Sequence, residues 1–263
     1  PAPEADVDLA RILLTSSSLP VCMEEALVLS ERPALPVGDG SLVTLAVDDA
    51  SRVAVLELND PEHFNALSGE MADDMQRAVQ WLHTHTAPVV KAVVLQGRGE
   101  HFCPGGNTYK MRGDARKDVG VAALARFPLD LFAGFVALRT LTMPVVSAVH
   151  GTVLGGGYAI ALHTDGIVAA ADTTFQDGEL PRGLTPAALF TRSLAERVGH
   201  SAAVRLYLTD AKLTAAEAAE IGLVQHVCGA SDEARALGWR WAAAAGITRP
   251  LNAETLLAHE RST

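Results

Sequence analysis

Apolar positions along the chain fall into short continuous runs rather than long amphipathic stripes, and these runs set the expected elements. Leu42–Val47 and Val53–Leu58 read as two strands joined by a turn at Asp48–Ser51. The second is apolar at Val53, Val55, Leu56 and Leu58, and rich in β-branched residues. Lys91–Gln96 encloses the run Ala92–Leu95, and Pro144–Val149 and Gly166–Ala170 are similar, as strands buried on both faces would be. A late strand is expected at Leu223–Val227. Helical spacing follows Ser68, an N-cap type, through Met71, Met75 and Val79. Further helices are predicted over Val121–Leu141 (with a break at Pro128), from Gly155 to Leu162, and over Thr185–Val198, Ala202–Leu208, Ala215–Ile221 and Ala234–Ala245. Strands alternating with helices indicate an α/β fold with parallel pairing.

Composition changes this picture little. With 263 residues, 49% hydrophobic and 20% charged, the chain can bury one large core. A net charge of -10 offers no basic face for nucleic acid. Cys22, Cys103 and Cys228 are widely separated and form no CxxC, which argues against a disulfide framework or zinc site and for a reducing cytoplasm. No apolar run reaches the roughly 18–20 residues that span a bilayer, so no membrane partner is expected. Prolines punctuate residues 1–40, and the chain begins at Pro1 without a signal-peptide pattern.

Two glycine-rich segments carry the candidate chemistry. Gly99–Asn107 contains Pro104-Gly105-Gly106, and Val149–Ala159 contains Gly155-Gly156-Gly157. Each follows a buried strand. Glycines at a helix start leave N–H donors unblocked where the helix dipole is positive. A second loop aimed at the same point makes a two-donor oxyanion hole, in which losing one donor typically costs about 100–1,000-fold in rate. Dinucleotide binding fits less well, because the G-x-G-x-x-G spacing is missing.

These segments resemble the crotonase (enoyl-CoA hydratase/isomerase) superfamily. Leu58–Leu67 is similar to its "LNRPEKRNAL" segment, Phe102–Asn107 to "FxAGxD", Pro144–Gly157 to "KPVIAAVNGxxxGGG", and Leu213–Val227 to its "xxAxEAxxxGLVxxV" ending. The resemblance implies a spiral of repeated ββα units over residues 41–198, after an irregular lead-in at 1–40. A C-terminal helical region at 199–263 would serve trimerisation, giving a homotrimer or hexamer. It places the oxyanion donors on the N–H groups of Gly106 and Gly156. No metal or resident cofactor is implied. The substrate is an acyl thioester on CoA or on the phosphopantetheine of an acyl carrier protein.

Departures from the family pattern narrow the chemistry. Family hydratases use two glutamates; the position of the first is Ala159, while Glu179 in Phe175-Gln176-Asp177-Gly178-Glu179 keeps the second. A single glutamate resembles the family's double-bond isomerases, where one carboxyl moves a proton between two carbons. A glutaconyl-type decarboxylase of polyketide β-branching is the next reading, with Tyr109 and Lys110 in the helix after the first glycine loop. Hydratase ranks third, and a scaffold without catalysis stands as the non-enzymatic alternative. His63, Phe64 and Ala66 occupy the segment that meets the CoA carrier, but His63-Phe64 replaces the usual basic residue. That substitution favours a carrier protein, and with it a domain cut from a polyketide synthase or a partner of one. Lys91, Lys110 and Arg112 are the cations left to serve CoA.

Smaller expectations complete the reading. By analogy with the family Tyr158 and Asp177 flank the site; Asp177 reads as an exposed turn residue, with a second acid as the alternative, and Arg182 as an ion-pair partner that orients Glu179. Cys103 reads as a small packed side chain. His83 and His85 read as surface histidines at a helix end, and Trp239 and Trp241 as core or interface packing.

Overall fold

The computed structural model describes residues 35–38, 40–86, 89–106 and 130–245, within the compact unit that begins at Leu35. The apolar runs of the sequence become the strands of a six-stranded sheet. These are β1 (Val43–Val47), β2 (Val53–Leu58), β3 (Ala92–Gly97), β4 (Val145–Val149), β6 (Gly166–Ala170) and β9 (His226–Cys228), in the order β1-β2-β3-β4-β6-β9. Only β1 and β2 pair antiparallel; every other neighbour is parallel. A second sheet of three short strands lies in the order β5 (Thr152–Leu154), β7 (Thr174–Gln176), β8 (Leu213–Thr214).

The continuous runs are explained by burial on both faces. In β3, Val93 and Leu95 belong to the main core, with Leu56, Met71, Met75 and Phe135. The alternate residues Ala92 and Val94 turn to a second core with Val146, Ala148 and Val168. Helix α1 (Gly69–Thr84) contributes to the main core; the Ser68 hydroxyl caps it by accepting from Met71 N–H. The helical segment 130–137 crosses α1 closely at Gly134, where an added Cβ would lie 2.7 Å from Gln76 N.

Downstream come α2 (Gly156–Leu162), α3 (Phe190–Val198), α4 (His200–Thr209), α5 (Ala215–Glu220) and α6 (Ser231–Ala245). Helix α6 covers the second face of the large sheet, with Ala234 and Ala242 buried there and Trp239 and Trp241 packed alongside. Both tryptophans are half-buried and pack against this second core. Two boundaries differ from the sequence reading. The helix expected from Thr185 begins at Phe190, because Ala188 and Leu189 hold left-handed φ values of 52° and 55°. The late strand is shifted to His226–Cys228, because Gln225 N–H donates to Ile167 O and Gln225 Oε1 accepts from Ile167 N–H before pairing begins.

Candidate active site

Two loops leave the carboxyl ends of neighbouring parallel strands β3 and β4 and run side by side. Cys103 N–H donates to Thr152 O and Leu154 N–H donates to Cys103 O, each at 3.2 Å. This short parallel pairing brings the two glycine segments together. An added Cβ at Gly157 would stand 2.1 Å from Cys103 O, so only glycine lets the loops approach this closely. Gly105 adopts φ +89°, and a Cβ there would lie 2.8 Å from Leu154 O and 3.2 Å from Gly156 N. The first loop thus ends against the start of α2.

Among the described residues both expected donors are unspent. Gly156 is the first residue of α2, where no preceding turn offers its N–H an acceptor. Gly106 bridges to Leu67, but the hydrogen bond of that bridge runs from Leu67 N–H to Gly105 O, 2.8 Å. Neither glycine N–H donates to a hydrogen bond among the described residues.

The first loop is anchored by a buried amide. Asn65, fully buried with φ 60°, accepts from Asp60 N–H at 2.8 Å and donates to Arg98 O and His101 O, both at 2.8 Å. Its neighbour Phe64 is also left-handed, and its ring meets that of His101 at 5.3 Å. Pro61–Ala66 is thereby locked to the loop that bears Gly106.

A cavity of about 540 Å³ opens at the two glycines. Gly105, Gly106, Gly155 and Gly156 line it, with Leu131, Phe132 and Leu154 as apolar wall. His63, Phe64 and Ala66 line it too, the first two exposed and the third buried. Lys91 does not line it. Asn107, Tyr109, Lys110 and Arg112 lie outside the described residues.

Two carboxyls line the same cavity. Glu179 follows β7 and has one oxygen, Oε2, buried without a hydrogen-bond partner among the described residues. Burial, and then the charge of Asp177, push its pKa up to about 7. Its Oε1 lies 3.9 Å from where a Cβ on Gly155 would stand, one residue before Gly156. Asp177 corrects the sequence reading. It is not an exposed turn residue: it is 5% exposed, and burial, then the charge of Asp210, raise its pKa to about 6. The neighbours that close around it include Gly155, Tyr158 and Asp210, none of them local in sequence. Arg182 does not pair with Glu179. Its guanidinium donates to Gly178 O, because the 3-10 turn Leu180–Arg182 points it back along the chain.

Ala159 is buried in the main core and places no carboxylate at the cavity. Cys103 is fully buried and its thiol is pushed up to about 12, chiefly by that burial, so it stays protonated. His83 contacts Thr140 and His85 stacks on Trp81; no cluster of metal-ligand side chains occurs among the described residues.

Residues 48–254 match the family model for enoyl-CoA hydratase/isomerase. A candidate enoyl-CoA hydratase of Thermus thermophilus is 35% identical, over 80% of this chain and 82% of the relative. The solved enoyl-CoA hydratase of Polaromonas sp. JS666 superposes with a TM-score of 0.73 at 26% identity, covering 84% of each chain. A candidate enoyl-CoA hydratase of Thermobifida fusca YX, solved with acetoacetyl-CoA, gives 0.69 at 29% identity, covering 84% of this chain and 91% of that one. The chain belongs to the enoyl-CoA hydratase/isomerase (crotonase) family.

Proposed function

From that membership we propose that the protein is an enoyl-thioester double-bond isomerase, in which Glu179 moves the proton and Gly106 and Gly156 hold the enolate oxygen. The observation that carries this is the position of Glu179, a carboxyl of pKa about 7 in the same cavity as two unspent N–H donors. The thioester carbonyl oxygen accepts from both N–H groups. The Glu179 carboxylate removes a proton from C2 of a 3-enoyl chain. Charge moves onto the carbonyl oxygen, where two preorganised donors stabilise it. The proton then returns at C4, leaving the double bond between C2 and C3. A carboxyl whose pKa matches neutral pH can both take and give a proton.

Hydration has weaker support, because Ala159 supplies no water-holding carboxylate where family hydratases carry one. The acyl group rides on phosphopantetheine, as CoA or as a carrier protein; the acetoacetyl-CoA complex of the Thermobifida relative supports a thioester of this kind. His63, Phe64 and Ala66 at the cavity would meet that carrier.

The test is a Glu179→Gln variant assayed with a 3-enoyl-CoA. Isomerisation is expected to fall about 100-fold or more. Wild-type turnover in this variant would remove Glu179 from the role.

A further inference from the structure

We propose that Asp210 is a positioning residue of this site. Its carboxylate ties the strand that backs the oxyanion loop to the turn that carries Glu179, and so fixes where the base stands relative to the enolate seat. This inference rests on the reading of Glu179 as the base.

Asp210 closes helix α4 and does not line the cavity. It takes the left-handed values φ 47° and ψ 40°, which Asp adopts more readily than most side chains. From there its carboxylate reaches the end of β7. Gln176 Nε2 donates to Asp210 Oδ2 at 2.8 Å, and Gly178 N–H donates to Asp210 Oδ1 at 2.6 Å. Gln176 Nε2 also lies 3.3 Å from Asp210 O. One carboxylate thus takes two donors, on either side of Asp177, and such charge-assisted bonds are about twice as strong as neutral ones.

Each donor leads to one part of the site. Gln176 O accepts from Gly155 N–H at 3.0 Å, and Gly155 precedes the donor Gly156. Gln176 is therefore fixed to the oxyanion loop by its main chain and to Asp210 by its side chain. Gly178 precedes Glu179 and takes φ +71°. A Cβ there would lie 2.7 Å from Leu154 Cδ1, so the turn packs on the same loop. The Gly178 N–H is held by Asp210 and its carbonyl by the Arg182 guanidinium. Glu179 O in turn accepts from Arg182 N–H at 2.9 Å and from Leu184 N–H at 3.1 Å.

The Glu179 carboxyl has no comparable hold: Oε2 is buried without a hydrogen-bond partner among the described residues. Its place in the cavity is therefore set by the main chain that carries it. Glycine at 178 gives that chain wide conformational freedom, since either sign of φ is open to it. Asp210 removes the freedom by holding the N–H. A displacement of about 1 Å at a reacting group can cost about 100-fold in rate. Loss of Asp210 would let Glu179 drift from C2, while the two glycine donors and the apolar wall still bind the thioester.

The experiment measures kcat and KM with a 3-enoyl-CoA, below the unfolding temperature of each variant, with thermal unfolding read in parallel. Asp210→Ala is expected to lower kcat about 10–100-fold and to leave KM nearly unchanged. Gln176→Glu sets one carboxylate against another and should lower kcat in the same way. Adding Asp210→Asn to Gln176→Glu supplies that carboxylate with an amide donor and keeps an oxygen for Gly178 N–H, so kcat should recover to within about threefold of wild type. A purely structural tie would lower the unfolding temperature and spare the kcat of the folded enzyme. Wild-type kcat in Asp210→Ala or Gln176→Glu overturns the inference, as does a loss confined to KM, or a double variant no better than Gln176→Glu alone. Should Asp210→Ala fail to fold, Gln176→Glu and its double variant decide the matter. When Glu179→Gln is inactive, those results remove this inference and leave the base assignment standing. Wild-type turnover in Glu179→Gln would sink the base assignment and this inference with it.

Discussion

In the proposed isomerisation Glu179 acts as a base only when ionised, and burial raises its pKa to about 7. Because its pKa is raised to about 7, kcat/KM for the isomerisation should climb tenfold per pH unit below that value and level off above it. A pH–rate profile checks the limb, which Glu179→Gln should erase. The same shifts bear on stability with a definite sign. Asp177 and Glu179 have folded pKa values of about 6 and about 7, above their ordinary values of 3.8 and 4.5. The folded chain thus binds more protons than the unfolded one between about pH 4 and 7. Their contribution is full below the ordinary values and is lost as pH rises through the folded ones. Replacing both by their amides should raise stability at pH 8 by about 1–3 kcal/mol and leave pH 4 nearly unchanged, as read by urea unfolding. Glu179 is legible in the sequence because it stands at a motif position. The burial of Asp177 is not, since it depends on Asp210 and Tyr158, which neither spacing nor polarity connects to it.

At the scale of elements, the site depends on contacts between loops. Asn65→Ala removes three hydrogen bonds from a fully buried amide and leaves Asp60 N–H, Arg98 O and His101 O unpaired. It should destabilise the protein by about 3 kcal/mol, measurable by thermal unfolding. Gly157→Ala would drive a methyl group into Cys103 O and part the two glycine loops. Loss of one oxyanion donor by this route should lower kcat by about 100–1,000-fold, with KM for the thioester much less affected. The strands of the large sheet are readable because burial on both faces writes a continuous apolar run, as in Val53–Leu58 and Gly166–Ala170. Strands β5, β7 and β8, only two or three residues long, contain too little chain for any period to show. The start of α3 escapes the sequence because Ala188 and Leu189 adopt a backbone conformation that their side chains do not advertise.

At the scale of the whole molecule, the large sheet works as a frame whose parallel strands deliver every part of the site from one edge. β3 ends in the Gly106 loop, β4 leads into the Gly156 loop, and the chain leaving β6 passes through β7 to Asp177 and Glu179. Active residues gather at the carboxyl ends of adjacent parallel strands because that is where connections open a crevice. Ordered motifs along the sequence therefore suffice to place the family, while the three-dimensional neighbours of each carboxyl wait on the fold. In the proposed reaction the seat for the enolate oxygen is made of main chain, whereas the group that moves the proton is a side chain. Substitutions outside the glycines leave that seat in place and change only which proton is taken and where it lands. A lineage built on this frame can therefore exchange one reaction for another by single amino-acid steps, passing through intermediates that still bind and polarise their thioester.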